Sequence, residues 1–326
     1  MGKRNLVFVL GAIFWILSLP CEAQQPAKVH RIGMLIAGSA STYKSWIDAF
    51  RHGLRELGYV EGQNVLIEYR YAEGERERFS ALAVEMVRLK PEVIVVGSAG
   101  FTRAAKEATT TIPIVVGSAG DLVETGLVAS FARPGGNITG STNISQDLSG
   151  KGLELLKETV PKVSHVALLL YPVGSDLAEL KETEAAAHAL KVKIQVVPVK
   201  DPSEFQSAYA AMRRENANAL ILIQGSFTAF HRKELIEFGT KNRLPTMCEE
   251  LRWTEDGCLM SYGPDLIYQW NRAAVFTDKI LKGAEPADLP VEQPTKFELI
   301  ISLKAAKHIG LTIPPNVLAR ADKVIK

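Results

Sequence analysis

With three cysteines in 326 residues, a formal net charge of +2 and no apolar run as long as a membrane span, the chain lacks the marks of several protein classes. The 38 basic and 36 acidic residues nearly cancel, so no electrostatic footprint points to nucleic acid as a partner. Leu6 to Leu19, the main apolar run, is about 14 residues against the roughly 20 that a spanning helix needs. Any membrane contact is therefore expected only through a partner protein. No G-x-S-x-G elbow accompanies Gly97-Ser98 or Gly225-Ser226, and no G-x-x-x-x-G-K-[ST] loop is present for nucleotide phosphates. The six histidines (His30, His52, His165, His188, His231 and His308) are scattered without metal-ligand spacing. An enzyme, a resident metal and a cofactor are all unsupported, which leaves a protein that holds a molecule without transforming it.

What is present begins with a three-part leader. Lys3 and Arg4 precede the apolar run, and Cys21-Glu22-Ala23 offers small residues around a cut after Ala23, the pattern of a secretory signal peptide over residues 1–23. Export to the periplasm follows as an expectation. Lipid anchoring at Cys21 is disfavoured by Pro20, because that signal needs a small residue before the cysteine. Cleavage leaves Cys248 and Cys258, which the spacing alone permits as a disulfide or as two buried thiols. A composition of 47% hydrophobic and 23% charged residues supplies core for about two domains.

From Arg31 the chain alternates strand and helix. RIGMLI (31–36), Val65 to Tyr71, VIVV (93–96) and Ile112 to Val116 read as strands. Helical patterns lie at 45–57, 79–89 and 102–108, with a further helix expected behind Asp121, so β-α repeats four times. The charged segment Glu73 to Arg78 reads as a solvated helix start. Past Thr142 the pattern restarts, with strands at 166–170, 194–197, 219–223 and 245–248. HVALLLYPVGSD restates RIGMLIAGSAS as strand, small-residue turn and helix. The final part breaks the rhythm: a strand at 259–262, a helix at 268–281, a strand at 297–302 and a short helix at 305–309. These elements predict an α/β protein of two Rossmann-like lobes joined by a three-crossing hinge. The expected limits are 29–142 plus about 259–285 for lobe 1, and about 143–258 plus 286–326 for lobe 2.

The run IPIVVGSAGDLVETGLVASFARPGGNITG, with LMSYGPD, KILKGAEPADLPVEQPTKFELIISLKAAKHIGLTIPP and LARADKVI, resembles the substrate-binding proteins of ABC transporters. More narrowly it is similar to the tryptophan/tyrosine-type transport binding proteins. The resemblance implies a type I periplasmic binding protein fold, capture of a small solute outside the cytoplasmic membrane, and delivery to a permease and its ATPase. Relatives carry Thr-Pro where this chain has Ser98-Ala99, and Asp-Pro where it has Asp121-Leu122.

A cleft protein of this kind binds with the turns at the carboxyl ends of its strands. In the first lobe these turns hold Ser39 and Ala40, Ser98 and Ala99, and Ser118 through Asp121. In the second they hold Pro172, Gly225 and Ser226, and Glu250, with Tyr262 on the returning segment. Backbone amides at Ser98 and Ala99 suit a carboxylate and Asp121 suits an amine, which together describe an amino acid. Asp121 equally suits an N-cap role. Tyr43, Phe227, Trp253 and Tyr262 are candidates to sandwich an aromatic or hydrophobic solute. A ligand-sensing module acting through a membrane signalling partner would use the same fold, so fold alone does not separate import from sensing.

Overall fold

The computed structural model describes residues 28–143, 146–172 and 175–326. The expected signal peptide and Cys21 lie outside the described residues.

The first sheet has the strand order β2-β1-β3-β4-β5, built from β1 (His30–Ile36), β2 (Val65–Tyr71), β3 (Val93–Val96), β4 (Ile114–Val116) and β5 (Ile138–Gly140). All its pairings are parallel. Every residue of VIVV in β3 is buried, as expected of a strand covered on both faces. Three helices link the first strands: α1 (Ala40–Glu56), α2 (Phe79–Arg88) and α3 (Ala99–Ala108). In α1 the buried Tyr43, Trp46, Ile47, Phe50 and Leu54 recur at helical spacing and form one apolar stripe against the sheet.

The second sheet contains β6 (His165–Leu170), β7 (Lys193–Pro198), β8 (Ala219–Leu222), β9 (Thr246–Cys248), β10 (Met260–Pro264), β11 (Phe297–Ser302) and β12 (Lys323–Ile325). Its order is β12-β11-β10-β9-β8-β6-β7, with only β10 and β11 antiparallel. Around it lie α4 (Gln146–Thr159), α5 (Ser175–Leu190), α6 (Phe205–Arg214) and α7 (Ser226–Lys241). Two apolar clusters, one on each face, form the core of this lobe.

The helix α8 (Leu266–Leu281) returns to the first lobe, where Trp270, Ala273, Ala274 and Phe276 join its core. It packs along α1 closely enough that a Cβ on Gly53 would lie 2.8 Å from Ala274. Two short helices, α9 (Leu303–Ile309) and α10 (Pro315–Leu318), precede the last strand.

The lobe limits differ from the expectation in two places. Met260–Pro264 belongs to the second sheet, because β10 fills the gap between β9 and β11. The crossing comes after it, where the Asp265 carboxylate accepts from the N–H groups of Ile267 and Tyr268 and starts α8. Segment 286–292 stays with the first lobe: Val291 N donates to Phe131 O, Glu292 N to Gly140 O, and Thr139 Oγ1 to Leu289 O. The chain therefore leaves the first lobe at 141–143, returns at 264–265 and crosses again at 293–296. The helix expected behind Asp121 is also absent; residues 122–126 form turns that end at Gly126 with φ +68°. Cys248 and Cys258 are joined as a disulfide with a Cα separation of 6.5 Å.

Candidate functional site

A cavity of about 330 Å³ lies between the lobes at the carboxyl ends of their parallel strands. The first lobe contributes the turn after β3 (Gly97 to Gly100), the turn after β4 (Ser118 to Gly120), and Tyr43, Arg76, Arg103 and Thr125. Gln224, Gly225, Ser226 and Ala229 come from the second lobe, and Asn143 from the first crossing. Both turns of the first lobe are small-residue turns for a packing reason. A Cβ on Gly97 would sit 2.6 Å from the Trp270 ring and one on Gly117 3.0 Å from it, so the buried indole lies directly beneath the cavity.

Several bonds fix the walls. Ser98 caps α3 by accepting from Phe101 N at 3.2 Å. The crossing is fastened to the β4 turn by Asn143 N to Ala119 O at 2.6 Å and Thr142 Oγ1 to Gly120 O at 2.8 Å. On the other side Gln224 N donates to the buried Glu249 carboxylate at 2.9 Å. The lobes touch across the cleft: Asn143 Nδ2 donates to Gln224 Oε1 at 2.9 Å, and the Arg76 guanidinium lies 4.7 Å from the centre of the Tyr171 ring. Burial pushes the Tyr43 hydroxyl up to about 12, opposed by the Ser226 side chain across the cleft, so Tyr43 stays a neutral donor. Two polar atoms in the wall residues, Ser118 Oγ and Asn143 Oδ1, are buried without a partner among the described residues. Buried polar atoms of this kind need a partner, and a bound solute supplies one.

Ser98, Ala99, Ser118, Gly225 and Ser226 come together around the cavity. Ala119 and Gly120 of the Ser118 turn line it too, whereas Asp121, Ser39, Ala40, Glu250, Pro172 and Tyr262 do not. Asp121 Oδ1 accepts from the N–H groups of Val123 at 2.8 Å and Glu124 at 3.0 Å, so its carboxylate is turned onto its own backbone. Ser39 caps α1 at a different turn, and Ala40 is exposed beside it. Glu250 is buried in a separate interlobe crevice of about 180 Å³, with Lys44 and Trp46 on one wall and Arg232 and Arg252 on the other. Pro172 lies outside the cavity, beyond the Tyr171 that stacks on Arg76. Tyr262 packs on Phe297 within the second sheet. Among the four aromatic candidates only Tyr43 lines the cavity; Phe227 and Trp253 are buried in the second lobe's core.

Arg76, Arg103, Asn143 and Gln224 are wall residues that sequence reasoning missed. Arg76 sits among Glu73, Glu75 and Glu77, which disguised it as part of a solvated face. Its position just past the carboxyl end of β2 was the available signal.

Residues 32–325 match the family described as ABC transporter substrate binding protein. A tyrosine-binding protein of Clostridioides difficile is 25% identical over 265 residues, covering 80% of this chain and 75% of that protein. Among solved structures, a conserved domain protein from Vibrio cholerae superposes with a TM-score of 0.85 at 26% identity, covering 91% of this chain and all of the other. An ABC domain from Streptococcus pneumoniae in complex with L-Trp superposes at 0.84 and 23% identity, with the same coverage.

Proposed function

The chain belongs to the ABC transporter substrate-binding protein family, and we propose that it is the extracytoplasmic solute receptor of an ABC importer. Members of the family bind solutes and are not enzymes, and the two lobes with three crossings are the type I periplasmic binding protein fold. In this reading a small solute enters between the lobes, is clamped there, and is passed to a membrane permease driven by its ATPase.

The observation that carries the reading is the cavity at the facing strand ends, walled by both lobes and by the first crossing, with Ser118 Oγ and Asn143 Oδ1 left unpaired. Rotation about the crossings would separate Asn143 from Gln224 and Arg76 from Tyr171, opening the site; closure re-forms both contacts around the solute. The tyrosine-binding relative and the L-Trp complex support an amino acid or an aromatic or hydrophobic acid as the solute class. Export fits the Cys248–Cys258 disulfide, which persists in an oxidising compartment. Among the described residues no helix is long and apolar enough to cross a membrane.

The test is a thermal-shift screen of the purified chain against amino acids, carboxylic acids, amines, sugars and nucleosides. A solute at 100 times its Kd adds roughly 2.7 kcal/mol to stability. Failure of every compound to raise the melting temperature would sink the reading. For the export step, the mature N-terminus in the periplasmic fraction, read by mass spectrometry, is expected just after Ala23.

A further inference from the structure

We propose that the interlobe cavity selects organic carboxylates that carry no ammonium group, and disfavours zwitterionic amino acids. The inference rests on the solute-capture reading above and names its ligand class.

Two cations stand on the cavity wall. Arg76 is half-buried, lies over the Tyr171 ring, and joins no ion pair among the described residues. Arg103 stands exposed at the rim and donates from Nη2 to the Thr125 carbonyl at 3.0 Å, again without a carboxylate partner among the described residues. A guanidinium carries five N–H donors, so most of those on both side chains remain available to an anion. The ten-residue α3 and the sixteen-residue α7 begin at the cavity from opposite lobes, each adding the positive end of its dipole. An independent observation points to a ligand in the same place: Ser118 and Asn143 are 6% and 7% exposed, and their Oγ and Oδ1 atoms are unpartnered.

None of the described residues lining the cavity is Asp or Glu. The buried acid Glu249 stands behind the wall with its carboxylate accepting from Gln224 N at 2.9 Å, and it does not line the cavity. Asp121, the acid the sequence offered to an amine, is turned onto the N–H groups of Val123 and Glu124. Glu250 opens onto the other crevice. An ammonium would touch only neutral oxygens on the wall itself, which also presents two guanidiniums and two helix starts. A hydroxyl in its place keeps a donor for Asn143 Oδ1 without adding a charge.

Matched pairs of 2-hydroxy and 2-amino acids with the same side chain test this by calorimetry: lactate and alanine, malate and aspartate, 2-hydroxyisocaproate and leucine, phenyllactate and phenylalanine. In each pair that binds, the hydroxy acid is expected to be tighter by about tenfold or more, the effect of one unfavourable charge contact. Arg76→Gln should weaken the best hydroxy acid by about tenfold, and Arg76→Lys, which keeps the charge but loses the planar fork stacked on Tyr171, should weaken it by a smaller factor. A tighter amino acid in the pairs that bind overturns the proposal, as does an affinity unmoved by both Arg76→Gln and Arg103→Gln. Binding of a neutral sugar or nucleoside but of no carboxylate refutes the anion preference while solute capture stands. If no solute of any class binds, both readings fall.

Discussion

Glu250 makes stability fall as pH rises, and the size of the fall follows from its surroundings. The side chain is 3% exposed, and burial raises its pKa from the ordinary 4.5 to about 7. The Arg252 N–H and the guanidiniums of Arg252 and Arg232 pull it back only in part, and the nearby Asp256 opposes them. Between pH 4.5 and about 7 the folded chain holds a proton that the unfolded chain has released. Folding therefore takes up a proton in that window, and stability declines as pH climbs through it, then levels off. At about 1.4 kcal/mol per pH unit, the full decline assigned to this residue is about 3 kcal/mol. Glu250→Gln mimics the protonated form. It should be near-neutral at pH 5 and stabilising by about 3 kcal/mol at pH 8 relative to the wild-type chain. Urea denaturation followed by tryptophan fluorescence at half-unit pH steps reads both curves; their difference removes every other titration. Curves that run parallel from pH 4.5 to 8 would refute the reasoning.

Three other changes follow from the same structure. Asp121→Ala should cost about 1 kcal/mol through the two lost N–H bonds and leave solute affinity unchanged; a tenfold loss of affinity in a stably folded variant would return Asp121 to the binding site. Replacing both Cys248 and Cys258 with serine should cost about 3 kcal/mol, the loop-closure entropy for a separation of 10 residues, and the native chain should show no free thiol at either position on denaturation. Trp270→Ala should cost about 4 kcal/mol in denaturant titrations and weaken any solute, because it removes the support beneath Gly97 and Gly117.

Most of the architecture was legible because fully buried parallel strands read as uninterrupted apolar runs: VIVV and VALLL carry their own assignment. The expected residues that line the cavity were legible for a second reason, since the strand ends of open α/β sheets locate clefts whatever the side chains. What stayed hidden depends on contacts far apart in the chain. Met260–Pro264 pairs with strands 12 or more residues away on either side, and no local pattern says which sheet claims it. The disulfide needed a Cα separation that spacing does not supply. Behind Asp121, β-branched Val123 and Thr125 and the positive-φ Gly126 favour turns, and the pattern there was mistaken for a helix. The short Pro315–Leu318 helix and the exposed-edge strand Lys323–Ile325 are too brief for a periodic signal.

The placement of Trp270 also sets an order of assembly. The first lobe, whose sheet is complete by Gly140, still lacks the indole that fills the space under its ligand turns until the chain has been extended past Leu281. Its final packing therefore waits for most of the second lobe to be made, and the contacts that close it span more than 150 residues. Such distant closure folds slowly. In a nascent or translocating chain the floor of the solute pocket would thus be among the last parts of the first lobe to take shape.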